Sequence, residues 1–338
     1  NGVFSSTKHV SNVIIKSTPL ILTGLGVAFA FKTGLFNIGA EGQFIMGSVA
    51  ATVVGILFDF PPVIQIPLVL SAGVAAGAVY GGIAGFLKAK FGIHEVLTSI
   101  MLNWIALYFS NYVCGLNRFH KPDTIGTYAI NRSGYTMILG NYKATEEGKA
   151  ALAQNEFLRS TILKTDVNAG FIIAIVLAVL ISFLLYKTAK GFELRAVGSN
   201  RFAAEFSGIY VNRNILHSML ISGAICGLAA ALYITGNSPH GIATLAAFEN
   251  TGFNGLAVCL IAASSPIGCI FAGLLFGGLI YGGQTLQYEV GAPSEIINIV
   301  IGVIVFFVAL THIIPPLVER LRKVPLGKPG RNVSKGGK

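Results

Sequence analysis

Apolar runs of about twenty residues recur along almost the whole chain, and a helix of that length spans the roughly 30 Å hydrocarbon core of a bilayer. Only 11% of the 338 residues are charged, whereas soluble domains carry about 25%. So few charges cannot cover a water-facing surface. We therefore predict an all-α, polytopic membrane protein, and we exclude an ordinary soluble enzyme, a nucleic-acid-binding domain and a disordered chain.

Nine segments are predicted to cross the membrane, and they are 12–31, 38–58, 66–87, 96–114, 169–186, 215–235, 252–264, 267–283 and 295–314. The segment 252–264 is short and follows the sequence GNSPHGIATLAAFENTG. Non-helical backbone is tolerated at membrane depth only inside protein or beside a water-filled cavity. We therefore expect 252–264 to be half of a re-entrant or broken helix.

Charge is distributed unevenly between the two sides of this topology. With the C-terminus inside, the inside segments are 32–37, 88–95, 187–214, 264–266 and 315–338. Together with Glu41 at the membrane edge, they hold 15 of the 24 cationic residues but only five of the 14 acidic ones, so the net charge of +10 lies on one side. The positive-inside rule then predicts a cytoplasmic C-terminus and a location in the inner (cytoplasmic) cell membrane. Asn1 lies outside, so we expect a tenth helix before it.

The chain, 1–338, is predicted to be a single transmembrane domain with three polar segments. Residues 115–168 form an external insert, in which 146–164 are expected to be one short helix across the mouth. Residues 187–214 form a long, basic inside loop. Residues 315–338 form a basic inside tail.

Glycines spaced four residues apart lie on one face of three predicted helices: Gly73, Gly77, Gly81 and Gly85; Gly223 and Gly227; Gly273 and Gly277. Small residues on one face allow the backbone of a neighbouring helix to approach closely. The spacing therefore predicts a compact bundle rather than isolated membrane anchors.

The chain carries no sequence signature of catalysis. It lacks the phosphate loop G-x-x-x-x-G-K-[ST], the H-E-x-x-H motif and the G-x-S-x-G motif. None of the six histidines are paired at the spacing of metal ligands. We expect no catalytic residue, no metal and no cofactor, so the energy for uphill transport must come from a partner or from an ion gradient.

Two carboxylates lie near the ends of predicted membrane helices. Glu41, in FNIGAEGQF, and Glu95, in FGIHEVLTS, each come at a predicted helix N-terminus, where a negative charge offsets the helix dipole. Each is interpreted either as a cap or ion-pair partner, or as a group that acts in gating or substrate passage. Glu41 is included among the candidate pathway residues.

Other candidate pathway residues come from otherwise apolar helices. Asn103 and Asn111 are eight residues apart, about two turns, so they share one helix face. They either line the pathway or form hydrogen bonds between helices. Phe253 and Asn254, at the broken span, can offer a ring and an amide to a passing substrate.

A short amphipathic stretch, 200–207, lies between Gly198 and Gly208 in the basic inside loop. A rigid helix bounded by glycines suits a docking element, whereas the alternative is a solvated loop. Phe202, Ala203 and Phe206 lie within about one turn and form an apolar edge that can enter a groove on a partner.

Four segments of the chain occur in the same order as in one transporter family, and they are GLGVAFAFKTGLFNIGAEGQF, FGIHEVLTSIMLNWIALYFSNY, GFELRAVGSNRFAAEFSGIYVNRN and FNGLAVCLIAASSPIG. From about 17 to 308, the chain resembles the membrane-spanning permease subunits of ATP-binding-cassette (ABC) importers for nucleosides, simple sugars and branched-chain amino acids. The nucleoside branch is the most similar. The resemblance implies a translocation pathway for nucleosides, driven by ATP hydrolysis in a separate subunit.

Two alternatives stay open. One is an ABC permease for a simple sugar or a branched-chain amino acid, which shares the mechanism but not the substrate. The other is a gradient-driven carrier or channel that acts without an ATPase. Spans almost bare of charge disfavour an ion-coupled carrier, because such carriers keep ionisable groups within their helices.

The resemblance implies three protein partners besides membrane lipid, and no nucleic acid. They are a second, related permease subunit in a hetero- or homodimer, a cytoplasmic ABC ATPase subunit, and an extracytoplasmic substrate-binding lipoprotein. The coupling residues are then Ser199, Asn200, Arg201, Phe202, Ala203, Ala204, Glu205 and Phe206. Because this segment is expected to lie off the bundle core, a bulky residue at Ala204 is expected to block docking without affecting the fold.

Overall fold

The structure is a computed structural model that describes residues 6–140, 142–291, 296, 298–300, 302–304, 306–307 and 310. Up to residue 291 its α-helices are α1 (Thr7–Lys32), α2 (Ala40–Leu57), α3 (Pro62–Phe91), α4 (Glu95–Cys114), α5 (Glu146–Ala153), α6 (Glu156–Leu158), α7 (Gly170–Lys187), α8 (Ala189–Ser199), α9 (Arg201–Phe206), α10 (Val211–Gly236), α11 (Thr251–Ile261) and α12 (Gly268–Val290). Turns of 3₁₀-helix lie at Arg132–Gly134 and Tyr142–Ala144, and a π-helical turn lies at Arg159–Leu163.

Seven of the described helices are long and apolar enough to cross a membrane: α1, α2, α3, α4, α7, α10 and α12 as far as Gln287. They confirm the all-α polytopic prediction, and they match the first six predicted spans and the eighth. The seventh predicted span is the shorter helix α11, of 11 residues. Half of the ninth, 295–314, lies outside the described residues, and its ten described positions are helical. The 315–338 tail lies outside them entirely.

α1 lies at the centre of the bundle and packs against α7, α10, α11 and α12. Every residue from Ser17 to Ala30 is buried. Such a helix is apolar on all sides because it has neighbours on all sides.

The predicted glycine seam joins α3 to α10. The Gly73 and Gly77 carbonyls lie so close to Gly227 and Gly223 that a Cβ on either α10 glycine would collide with them. On α12, a Cβ at Gly277 would collide in the same way with Ser17 of α1. The close helix packing predicted from the four-residue spacing is therefore confirmed.

The chain folds back into the bundle after α1. Asn37, in the turn before α2, donates from Nδ2 to the Ser222 hydroxyl oxygen at 2.8 Å, and this hydroxyl donates to the Gly26 carbonyl oxygen at 2.6 Å. Gly26 precedes the last residue of α1, Lys32, by about 9 Å along the helix axis. α2 therefore begins inside the bundle.

A second break follows α10, where residues 237–250 are non-helical. At one end of this segment the His240 carbonyl oxygen accepts from the N–H of Ile130 at 2.9 Å. At the other end the N–H of Asn250 donates to Glu41 Oε1 at 3.0 Å. The segment thus re-enters the bundle, and the short helix α11 begins there, as predicted for a broken span.

The 115–168 segment does not contain the single helix expected at 146–164. Instead, α5 ends at Ala153 and a new turn begins at Glu156. Asn155 causes the break, because its side chain accepts from the N–H of Phe157 at 2.9 Å and so caps the new turn. Elsewhere this segment pairs with the re-entrant chain, through a bridge between Gly126 and Ala243.

Candidate functional site

The predicted docking stretch 200–207 contains α9, which is six residues long. Asn200 caps this helix, since its Oδ1 accepts from the N–H groups of Phe202 and Ala203 at 3.0 and 3.1 Å. Ser199 is the last residue of α8. The eight predicted coupling residues thus comprise one helix, its cap and the end of the helix before it.

α9 presents two large rings outward. The Phe202 side chain is 85% exposed and that of Phe206 is 96% exposed. Tyr210, just beyond the helix, is also exposed. The other exposed residues of α9 are Arg201, Ala203 and Glu205. Two exposed rings on one short helix are available to a partner, although the coupling role stays a prediction.

Ala204 corrects one part of that prediction. It is buried and packs in a cluster with Ala30, Val197, Ile215 and Met219. α9 is therefore seated on the bundle through this alanine, not held away from the core. A bulky residue at this position would disturb the seat of the helix, so it cannot test docking alone.

The helix before α9, α8, was not predicted from the sequence. Thr188 caps it by accepting from the N–H of Gly191 at 3.1 Å, and a threonine before a helical run is a signal that sequence reading can use. Glu193 joins α8 to α10, because it accepts from Lys190 at 2.8 Å and from Asn214 Nδ2 at 3.2 Å. The Lys190 hydrogen bond is the main cause of the lowered pKa of Glu193.

A cleft of about 1390 Å³ lies between α9 and the turn that joins α3 to α4. Lys88 and Glu95 line it and form an ion pair whose side chains are 11% and 5% exposed. Glu95 Oε1 also accepts from the N–H of Phe36 at 3.3 Å. Glu95 was interpreted as a cap or ion-pair partner, or as a gating group. The structure shows Glu95 as an ion-pair partner of Lys88, and the hydrogen bond from Phe36 joins this ion pair to the turn before α2.

Glu41 lies deeper in the bundle and is 1% exposed. Its carboxylate accepts from three backbone N–H groups at the start of α11: Asn250 at 3.0 Å, Gly252 at 2.6 Å and Phe253 at 3.3 Å. N–H groups at a helix N-terminus have no acceptor within the helix itself, and a carboxylate is favourable there. Of the interpretations of Glu41, the structure shows a cap, but Glu41 caps α11 rather than its own helix, and it thereby joins the two chain breaks. We call the contact of Glu41 with residues 250–253 the central junction.

The two predicted pathway asparagines hold backbone in place. Asn103 Oδ1 accepts from the N–H of Gly42 at 2.9 Å, and its Nδ2 donates to the Ile38 carbonyl at 3.1 Å. Asn111 binds both the N–H and the carbonyl of Leu245, at 3.0 and 2.8 Å. Both side-chain amides therefore form hydrogen bonds to other parts of the chain, as in the alternative interpretation of these residues as structural.

Of the remaining candidates, Phe253 lies at the central junction, and Asn254 is the next residue of α11. Asn254 lines a cavity of about 420 Å³ together with Lys16, Tyr233 and Glu249. Sequence reading missed Glu249 and Tyr233 as candidates. The signal for Glu249 was present, since it is a carboxylate within the segment predicted to break a membrane helix.

Metal binding has no support among the residues that the structure describes. Within them, no group of three or more His, Cys, Asp or Glu side chains could hold a metal ion. The buried thiols of Cys114, Cys226, Cys259 and Cys269 are free.

Comparison with known proteins assigns the family. A family model described as branched-chain amino acid transport system / permease component matches residues 9–309. The chain belongs to this permease family. The permease is thus a multi-pass membrane component of a transport system, as its bundle of apolar helices indicates.

Three relatives resemble the permease over most of its length. The guanosine ABC transporter permease protein NupP of Bacillus subtilis is 40% identical over 96% of this chain and 87% of its own. The nucleoside ABC transporter permease protein NupB of Lactococcus lactis is 35% identical over 96% of this chain and 85% of its own length. The glucose ABC transporter permease protein TsgB13 of Haloferax volcanii is 31% identical over 88% of this chain and 75% of its own length.

Proposed function

We propose that this permease forms the nucleoside translocation pathway of an ABC importer and is driven by ATP hydrolysis in a separate subunit. The observation that carries the proposal is α9, a capped helix with two exposed phenylalanines that is seated on the bundle through the buried Ala204. The nucleoside assignment is supported by the names of two relatives, NupP and NupB. A sugar is the second candidate substrate, because TsgB13 is a glucose permease by name.

α9 is the proposed docking element for the ATPase. An amphipathic helix binds a partner by laying its apolar side into a groove, and Phe202 and Phe206 supply that side. The chain has no phosphate loop, so hydrolysis belongs to the partner. The cleft beside α9 gives room for a partner to act on the Lys88–Glu95 pair and, through Phe36, on the turn before α2.

The orientation and the other partners form part of the same proposal. α9 and the 315–338 tail lie on the cytoplasmic side of the inner membrane, where the excess of positive charge belongs. The 115–168 segment lies outside and faces a substrate-binding lipoprotein. A second permease completes the pathway; Bacillus subtilis has two similar permeases named for guanosine, NupP and NupQ.

Uptake by the reconstituted complex tests this function. Proteoliposomes that contain the permease, its second permease and the ATPase, with the binding protein added, should accumulate labelled guanosine only when ATP is supplied. Complexes with a catalytically inactive ATPase are the control. Accumulation that persists with the inactive ATPase would indicate a carrier or channel, and accumulation of glucose but not guanosine would indicate a sugar importer.

A further inference from the structure

We propose that the outward face of α4, with Trp104 and Tyr108, lines the translocation pathway and stacks against the base of a passing nucleoside. The inference rests on the proposed nucleoside transport function. It concerns a surface formed by α4 and residues 244–250, which we call the aromatic wall.

The first step excludes lipid as the neighbour of this surface. Residues 244–250 are non-helical and descend from Leu245, which is bound to Asn111 near one end of α4, to the central junction. In that stretch Ala246, Ala247 and Glu249 are exposed. Irregular backbone and a carboxylate within a membrane bundle are tolerated beside protein or water, not beside lipid. The part of the aromatic wall formed by residues 244–250, which Trp104 contacts through Phe248, therefore faces an aqueous pathway or a partner subunit.

The second step concerns the rings on this face. Trp104 is in the middle of α4, and Tyr108 follows one turn later on the same side. Their rings are stacked, with centroids 6.1 Å apart and planes 26° apart. The indole also contacts the ring of Phe248, at 4.7 Å between centroids. Trp104 and Tyr108 remain 43% and 65% exposed, so both keep free ring area.

The third step matches this surface to a ligand. Every base has a flat π-face, so stacking on aromatic rings holds bases without selecting among them. That property suits a pathway, because a pathway must pass whatever the binding protein delivers and must release it again. Two rings one turn apart offer a base two successive stacking positions along the axis of α4. A sugar has no π-system and packs on aromatic rings only through its C–H groups, so the flat π-face of a base gains more from the aromatic wall than glucose does.

The test is uptake by the full reconstituted complex with Trp104→Leu and Tyr108→Leu, each compared with wild type. Guanosine uptake per assembled complex should fall about tenfold in each variant, which corresponds to about 1.4 kcal/mol of lost stacking. Uridine uptake should fall less, because a pyrimidine has a smaller face. Trp104→Phe should restore most of the guanosine uptake. Phe183→Leu, at an exposed ring on α7, is the matched control and should behave as wild type.

Each outcome decides a separate point. Normal guanosine uptake by both leucine variants would overturn the stacking role while leaving the proposed function intact. Loss of the second permease from the complex would also overturn it, since the aromatic wall would then be a subunit interface. An equal loss of guanosine and uridine uptake without rescue by Trp104→Phe would indicate a structural defect and contradict stacking. If wild type takes up no nucleoside at all, the proposed function itself fails.

Discussion

α9 and the central junction use polar and apolar groups in opposite ways. α9 leaves Phe202 and Phe206 exposed and buries Ala204 beneath them. The central junction leaves no carboxylate oxygen of Glu41 free, because both accept from backbone N–H groups of the 250–253 segment. A large exposed group is available to a partner, whereas a buried and fully bonded group holds the fold. The contrast separates the proposed docking surface from a structural joint.

The largest effect is expected at the central junction. Glu41→Ala leaves three N–H donors at the start of α11 without an acceptor in the bundle, and an unsatisfied buried donor costs about 1–3 kcal/mol. The permease should lose on the order of 3 kcal/mol or more of its free energy of unfolding, which thermal melting of the purified protein measures. Glu41→Gln keeps one acceptor oxygen and should be the milder variant. A melting temperature unchanged in Glu41→Ala would show that the carboxylate does not hold the joint.

A smaller effect is expected beneath α9. Ala204→Trp forces an indole into the cluster with Ala30 and Met219, and overpacking of this kind typically costs about 1–3 kcal/mol. Melting temperature should fall together with transport. The matched control is Ala203→Trp, at an exposed position on the same helix, which should leave the melting temperature unchanged. If both variants melt as wild type does, Ala204 is not a seat for α9.

The smallest effect is expected at the clamp between α4 and the re-entrant chain. Asn111→Leu removes two hydrogen bonds to Leu245, and each such bond contributes about 0.5–1.5 kcal/mol. The permease should lose about 1–2 kcal/mol of stability, whereas guanosine uptake per folded complex should fall much less than in Trp104→Leu. A normal melting temperature with a large loss of uptake would instead make Asn111 a pathway residue and would weaken the contrast between joint and surface.

The fold was largely predictable, because each membrane span is a local property of the sequence. Runs of about twenty apolar residues locate the helices, and a four-residue glycine spacing predicts close packing without naming the partner. The spacing on α3 could not reveal that Gly223 and Gly227 on α10 would lie opposite, because that pairing depends on the folded topology.

The central residues were harder to interpret for a physical reason. A buried polar group in an apolar helix looks the same in sequence whether it contacts substrate or backbone. Asn103 and Asn111 were predicted to share one helix face, but the backbone groups that they bind come from two separate places, residues 38–42 and Leu245. Their partners exist only because two chain breaks enter the bundle. α9 could be located because its cap, its rings and its flanking glycines all lie close together in sequence, within residues 198–208.

The most direct test of the account removes the two exposed rings of α9. Phe202→Ala with Phe206→Ala should leave the melting temperature unchanged, because neither ring is packed in the bundle. ATP-dependent guanosine uptake should be abolished, and less ATPase should co-purify with the permease. Phe192→Ala, at an exposed ring on the neighbouring helix α8, is the matched control and should transport normally. Normal uptake by the double variant, with the ATPase bound as in wild type, would contradict the account.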